Sequence, residues 1–272
     1  MMKSGDHCAE TGFVETPTSN INYRIDGSQN TDWIILSNSL GANLNMWSDQ
    51  IPLLSSKFRV LRYDTRGHGE SSTPIGRYTF DDLLFDVMQL MDHFEIESTA
   101  FMGLSMGGMT GLGLGLQFPQ RFNKIVCADA RADAPDVFRN MWDDRISKVQ
   151  DGGLHAIVDG TIQSWFTSDW VERNPSRVAE IKDMVLSNDA EGYVSCCYAL
   201  KELDYLKDLP RLTVPVLYVG GDQDKGASPE VMSKMADATP NATYVKIRGA
   251  AHVANINASE PFNAAIQNFL DI

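Results

Sequence analysis

Cysteine is scarce in this chain: four among 272 residues, at Cys8, Cys127, Cys196 and Cys197. None forms a C-x-x-C pair, so neither a zinc site nor a disulfide framework is legible. Buried, inert thiols in a reducing compartment are the expectation. Long apolar runs are missing too; no stretch of about 18 apolar residues occurs, so no membrane-spanning helix is expected. The N-terminal segment, MMKSGDHCAETGFVETPTSN, lacks the apolar core of a secretory signal. Cations are outnumbered, 23 Lys and Arg against 36 Asp and Glu, for a net charge of −13. That balance argues against nucleic acid and anionic membranes as partners, and it obliges an anionic substrate to find locally placed cations. Phosphate-cradling patterns are absent as well, with no Gly-Lys-Ser/Thr and no G-x-G-x-x-G at a strand end. The expectation is a cytoplasmic protein.

What is present is an alternation of strand and helix patterns. WIILS (33–37) is an almost continuous apolar run, as suits a strand buried on both faces. FRVLRYD (58–64), TAFMG (99–103), NKIVCADA (123–130), VPVLYVGG (214–221) and TYVKIRG (243–249) read as further strands, and INYRID (21–26) as an early one paired near Phe13–Thr16. Between Thr79 and Phe94, apolar residues recur at i, i+3, i+4 and i+7, and Thr79-x-x-Asp82 fits a capping box. A short helix is expected over 44–56 and a closing helix over 259–270. This order implies an α/β fold, a mainly parallel sheet with helices on both faces. Residues 132–207 contain no convincing strand and read as a helical cap, inserted between core segments 1–131 and 208–272.

The stretch MGLSMGGMTGLGLGLQFP (102–119) holds one serine among six glycines. Gly103-Leu104-Ser105-Met106-Gly107 matches G-x-S-x-G, after a strand and at the start of a helix, which is the context of a nucleophile elbow. Gly103 and Gly107 are needed where backbones pass closely. Gly108, Gly111, Gly113 and Gly115 read as positions that let the helix lie close to the sheet or to a neighbouring helix. A serine nucleophile needs a base, and the base an orienting acid, in the chain order Ser, Asp or Glu, His. Of the five histidines, only His252 follows the last strand. Asp224 is the preferred acid in GGDQD, with Asp222 serving the turn; Asp129 is a third candidate, left to solvent or to backbone hydrogen bonds. The oxyanion donors are assigned to the backbone N–H groups of Met106 and of Leu40, in NSLG (38–41).

These motifs and their order resemble the α/β-hydrolase superfamily over nearly the whole chain. More narrowly, LSNSLGANLNMW (36–47), RYDTRGHGESS (62–72), GLSMGGM (103–109), WDDRI (142–146), WF (165–166) and AAHVANI (250–256) are similar to the 3-oxoadipate enol-lactonases. The SNSLG loop, where many relatives carry His-Gly, is the most specific of these. ADARADAP (128–135) and DKGASP (224–229) depart from the pattern and bear on the substrate more than on the chemistry. The resemblance implies hydrolysis of a small carboxylate-bearing lactone or ester from ring degradation, through an acyl-enzyme on Ser105 and with no metal or organic cofactor. Its alternatives are an acylated enamine or amide, a general carboxylesterase, or a catalytically silent binding protein. An anionic substrate calls for a cation, with Arg131 first and Arg145 second; Arg145 is expected in a surface ion pair with its neighbours Asp143 and Asp144. Trp142 and Trp165 are pocket walls or cap core.

Overall fold

Among the described residues, 9–272 of the computed structural model, eight strands form one sheet: Glu10–Glu15 (β1), Asn20–Asp26 (β2), Trp33–Ser37 (β3), Arg59–Tyr63 (β4), Thr99–Leu104 (β5), Phe122–Ala128 (β6), Val216–Gly221 (β7) and Ala242–Ile247 (β8). His7, Cys8 and the rest of residues 1–8, which open the polar N-terminal segment, lie outside the described residues. The strand order is β1-β2-β4-β3-β5-β6-β7-β8. β1–β2 and β2–β4 pair antiparallel, and the remaining pairs are parallel. The α/β architecture is therefore the expected one. Alternation along a strand sends neighbours to opposite faces. Accordingly Ile35, Phe101 and Ile125 enter one apolar core, and Ile34, Leu36, Met102 and Val126 the other.

In chain order the helices are Ile51–Leu54 (α1), Phe80–His93 (α2), Met106–Gln117 (α3), Asp136–Gly152 (α4), Val158–Trp165 (α5), Ser168–Arg173 (α6), Pro175–Leu186 (α7), Ala190–Lys201 (α8), Pro229–Ala238 (α9), Ala254–Asn257 (α10) and Ser259–Leu270 (α11). α2 begins at a complete capping box, with Thr79 and Asp82 each accepting the other's backbone N–H. The helix expected over 44–56 is instead a 3₁₀ turn, Leu44–Trp47, followed by the single turn of α1. Pro52 explains the break: it has no N–H to continue a helix through it and is tolerated only in a first turn. Between β6 and β7 lie α4 to α8, and the only β pairing there is an isolated bridge, Asp133 to Asp204.

α3 is pressed against the sheet. A Cβ on Gly103 would lie 2.1 Å from the Gly107 carbonyl carbon, and one on Gly107 would lie 2.2 Å from the Ser37 carbonyl oxygen. Farther along α3, Cβ atoms on Gly111 and Gly115 would meet Phe101 at 2.9 Å and Ile125 at 2.6 Å, both on the sheet. The close packing of this helix is what the glycines make room for.

Two glycine substitutions test this account. Gly103→Ala forces backbone apart and should lower stability by about 3 kcal/mol. Gly160→Ala, in α5 where a Cβ would meet no atom within 4 Å, should raise it by about 0.5 kcal/mol. Urea denaturation of both variants decides; equal effects would refute the packing argument.

Candidate active site

Ser105 sits between β5 and α3 with φ 56° and ψ −116°, a conformation that a non-glycine residue holds only when its surroundings enforce it. The enforcing bonds are the Ser105 N–H to the Ala128 carbonyl at 2.8 Å and the Gly107 N–H to the Asn38 carbonyl at 3.0 Å. His252 lies in the loop between β8 and α10, and Asp224 in the loop between β7 and α9. His252 Nε2 is 2.9 Å from Ser105 Oγ. Its Nδ1 is 2.7 Å from Asp224 Oδ2. Asp224 Oδ1 accepts the N–H groups of Gly226 at 2.8 Å and Ala227 at 3.1 Å. With Nδ1–H donated to a carboxylate, Nε2 is left as the acceptor facing the serine hydroxyl.

The other acids are placed differently. The Asp222 side chain accepts the Gly249 N–H at 2.8 Å, so it binds the turn after β8 and not, as expected, its own turn. Asp129 is fully buried, so solvent plays no part, and its partners are backbone N–H groups. Of the other described histidines, His93 and His155 are exposed, while His68 is buried and its pKa is pushed down to about 4, chiefly by desolvation.

Burial works to lower the His252 pKa, but the charge and hydrogen bond of Asp224, with a further push from Asp129, outweigh it and hold the group above its ordinary value; Arg145 opposes them. Burial likewise works to raise Asp224, and the His252 charge and its hydrogen bonds bring the net direction below the ordinary carboxylate value. The pair is thus arranged to stabilise an imidazolium.

Among the described residues, neither the Leu40 nor the Met106 N–H has a hydrogen-bond partner. Asn38, in the loop that carries Leu40, is fixed on three sides. Its Nδ2 donates to the Tyr63 carbonyl at 2.7 Å, its Oδ1 accepts Trp47 Nε1–H at 3.0 Å, and its carbonyl holds Gly107. The side-chain amide thus ties the loop after β3 to β4 and to Trp47, and the backbone carbonyl ties the same loop to the elbow.

A cavity of about 370 Å³ is lined by Ser105, Leu40 and His252, and also by Arg131, Trp142, Arg145 and Trp165. Trp165 is buried and belongs to a core cluster as well, while Trp142 is half-buried and packs edge-on to Phe138. The two arginines exchange the situations expected of them. Arg131 is the one in an ion pair, with Asp133 at 2.9 Å. Arg145 pairs with no carboxylate among the described residues, because Asp144 binds Lys148 one helical turn on and Asp143 binds Lys201. Its Nε donates instead to the Tyr193 hydroxyl at 2.6 Å, and its Nη2 to Thr161 Oγ1. Nothing in the sequence singles out Tyr193 and Thr161; they lie 48 and 16 residues from Arg145 and share no motif with it. No group of three or more His, Cys, Asp or Glu among the described residues is arranged to hold a metal ion. No described helix is long and apolar enough to cross a membrane.

Residues 32–259 match the α/β hydrolase fold family. The chain is 37% identical to 3-oxoadipate enol-lactonase 2 of Acinetobacter baylyi, over 94% of this chain and 96% of that protein. It is 30% identical to the proposed carbamate hydrolase RutD of Caulobacter sp. (strain K31), over 87% and 90% of the two chains. The crystal structure of the enol-lactonase from Burkholderia xenovorans LB400 superposes with a TM-score of 0.91 at 39% identity, covering 96% of this chain and 100% of that one.

The electrostatics predict that the His252 ring, followed by NMR, titrates with a midpoint above the ordinary value of about 6.5. Asp224→Asn should bring that midpoint down by about one pH unit or more. An unmoved midpoint would show that the carboxylate does not govern the imidazole.

Proposed function

The chain belongs to the α/β-hydrolase fold family, and from that premise we propose that it is a serine hydrolase of small carboxylate-bearing lactones, of the 3-oxoadipate enol-lactone type. The observation that carries this reading is the hydrogen-bonded series Ser105–His252–Asp224, at 2.9 and 2.7 Å, opening into a cavity lined by Arg145, which no carboxylate neutralises among the described residues. The likeness to two enol-lactonases supports the substrate class.

In the proposed reaction His252 Nε2 takes the Ser105 hydroxyl proton as Oγ attacks the lactone carbonyl carbon. The developing oxyanion is held by the N–H groups of Leu40 and Met106, the latter at the first position of α3, where the helix dipole also favours negative charge. Collapse breaks the ring C–O bond. The departing enol oxygen takes the proton from His252 and stays tethered to the acyl group, because the ester is cyclic. Water then gives a proton to His252 and its oxygen to the acyl carbon, and Ser105 leaves with that proton. No step requires a metal or an organic cofactor. Residues 132–207 act as a cap on a core of 1–131 and 208–272. Arg145 holds the substrate carboxylate, Arg131 has a secondary part because Asp133 already neutralises it, and Trp142 and Trp165 are apolar walls.

A second reading, hydrolysis of a small carbamate or amide by the same residues, is favoured by the likeness to RutD. It differs in the leaving atom, a nitrogen that must be protonated as it departs.

Steady-state hydrolysis of 3-oxoadipate enol-lactone decides between the readings. Activity should collapse by about 10⁴-fold or more in Ser105→Ala. Arg145→Gln should raise KM for the lactone by about tenfold or more and leave cleavage of an uncharged aryl ester at or slightly above wild type, whereas Arg131→Gln does less. An inert lactone beside a cleaved carbamate would move the conclusion to the second reading. Failure of Ser105 to label with a covalent serine probe would remove both.

A further inference from the structure

Asp129 is a buried carboxylate that the reaction above does not use. It stands directly after β6, is fully buried, and lines the same cavity as Ser105 and His252. Its φ is +43°, in the left-handed region where a side chain is tolerated only under constraint. Its Oδ1 accepts the N–H of Gly221 at 2.8 Å, at the end of β7 and three residues before Asp224. Its Oδ2 accepts the N–H of Ala254 at 3.2 Å, at the start of α10 and two residues after His252. Its own N–H is bound to the Val219 carbonyl at 2.9 Å. One carboxylate therefore joins the strand end that leads into the loop bearing the acid to the helix start that follows the loop bearing the histidine. Among the described residues no Lys or Arg is paired with it.

We propose that Asp129 is a positioning residue for His252. Its carboxylate clasps the two loops so that the imidazole is held between Asp224 and Ser105, and it adds a second negative charge near the imidazolium formed in the reaction. This rests on Ser105, His252 and Asp224 acting as nucleophile, base and acid. The bonding pattern favours the ionised form, since both oxygens accept N–H groups and a protonated acid would turn an O–H toward one of them. An amide in its place could accept only one of the two bonds. Burial of the second carboxylate is costly, and burial first and Asp224 second push the Asp129 pKa well up, while His252 pulls it down. A residue held at this cost, in strained backbone, is explained by what its two oxygens connect.

The charged groups acting on His252 are Asp224 from the loop after β7, Asp129 from the end of β6 and Arg145 from α4; Arg131 and Lys225 line the same cavity. Removing the charge of Asp129 leaves Arg145 less opposed, so the imidazolium is destabilised.

The test uses the full chain and its Asp129→Asn variant. The His252 midpoint by NMR should fall by about half a pH unit or more, and the acid limb of kcat/KM for any ester the wild type cleaves should move down with it. At pH 8, kcat should fall about tenfold with KM within about twofold. An unmoved midpoint together with an unmoved acid limb, whatever happens to Tm, would make Asp129 a structural brace only and overturn the proposal. Should Asp129→Asn not fold, Ala254→Pro deletes one of the two N–H donors at a first helical position, where proline is tolerated; kcat must then fall, and an unchanged kcat overturns the clasp. The titration needs no turnover, so a chain that cleaves no ester would sink the proposed function and leave the Asp129 result readable.

Discussion

The close approach of Gly103 and Gly107 is the constraint on which the rest depends. With no Cβ on either residue, the chain leaves β5, turns through Ser105 and enters α3 within one tight bend. Gly107 also lies against the end of β3, where Ser37 is in register with Gly103. Two adjacent parallel strands therefore end at the same level, which brings the loop after β3 beside the start of α3. The N–H groups of Leu40 and Met106 follow from that geometry, one from each strand end. A strained serine and two amide donors without partners among the described residues are thus consequences of one backbone contact.

The remaining parts come from the carboxyl ends of β6, β7 and β8, neighbours on the same sheet. Parallel strands deliver their following loops to one edge, so residues distant in sequence meet there. Asp129, Asp224 and His252 are separated by the whole of α4 to α8 and by α9, yet their bonds span only the gap between adjacent loops. The sheet supplies proximity, and the carboxylates supply orientation.

Much of this is legible in the residues. The elbow announces itself because it needs glycine at fixed offsets, and the parallel sheet because continuous apolar runs such as WIILS have no solvent face. The capping box of α2 is local chemistry and is equally plain. What stays hidden is tertiary. Helical periodicity says which face of α4 is buried but not what it meets, so the binding of Arg145 to Tyr193 and Thr161 cannot be read, and adjacency to Asp143 and Asp144 misleads. The broken helix at Pro52 is a local signal that the apolar spacing over 44–56 masks. Asp129 reads from sequence as bonded to backbone or solvated; only the fold shows that its two N–H partners, the last residue of β7 and the first of α10, flank the loops of two other site residues.

The electrostatics of the site then acquire a direction. Asp224 and Asp129 raise the His252 pKa from the sheet side, and Arg145 lowers it from α4. Before substrate binds, the guanidinium therefore works against the imidazolium that the proposed reaction requires. A substrate carboxylate bound to Arg145 would neutralise that opposition while leaving both aspartates in place, making His252 a stronger base once the substrate is seated. An uncharged ester would confer no such gain. In the proposed reaction the preference for an anionic substrate is thus expressed twice, in holding it and in strengthening the base that activates Ser105 against it. For a protein carrying a net charge of −13, one arginine held by a phenol and a hydroxyl, and not spent on a carboxylate, is what makes that preference physically available.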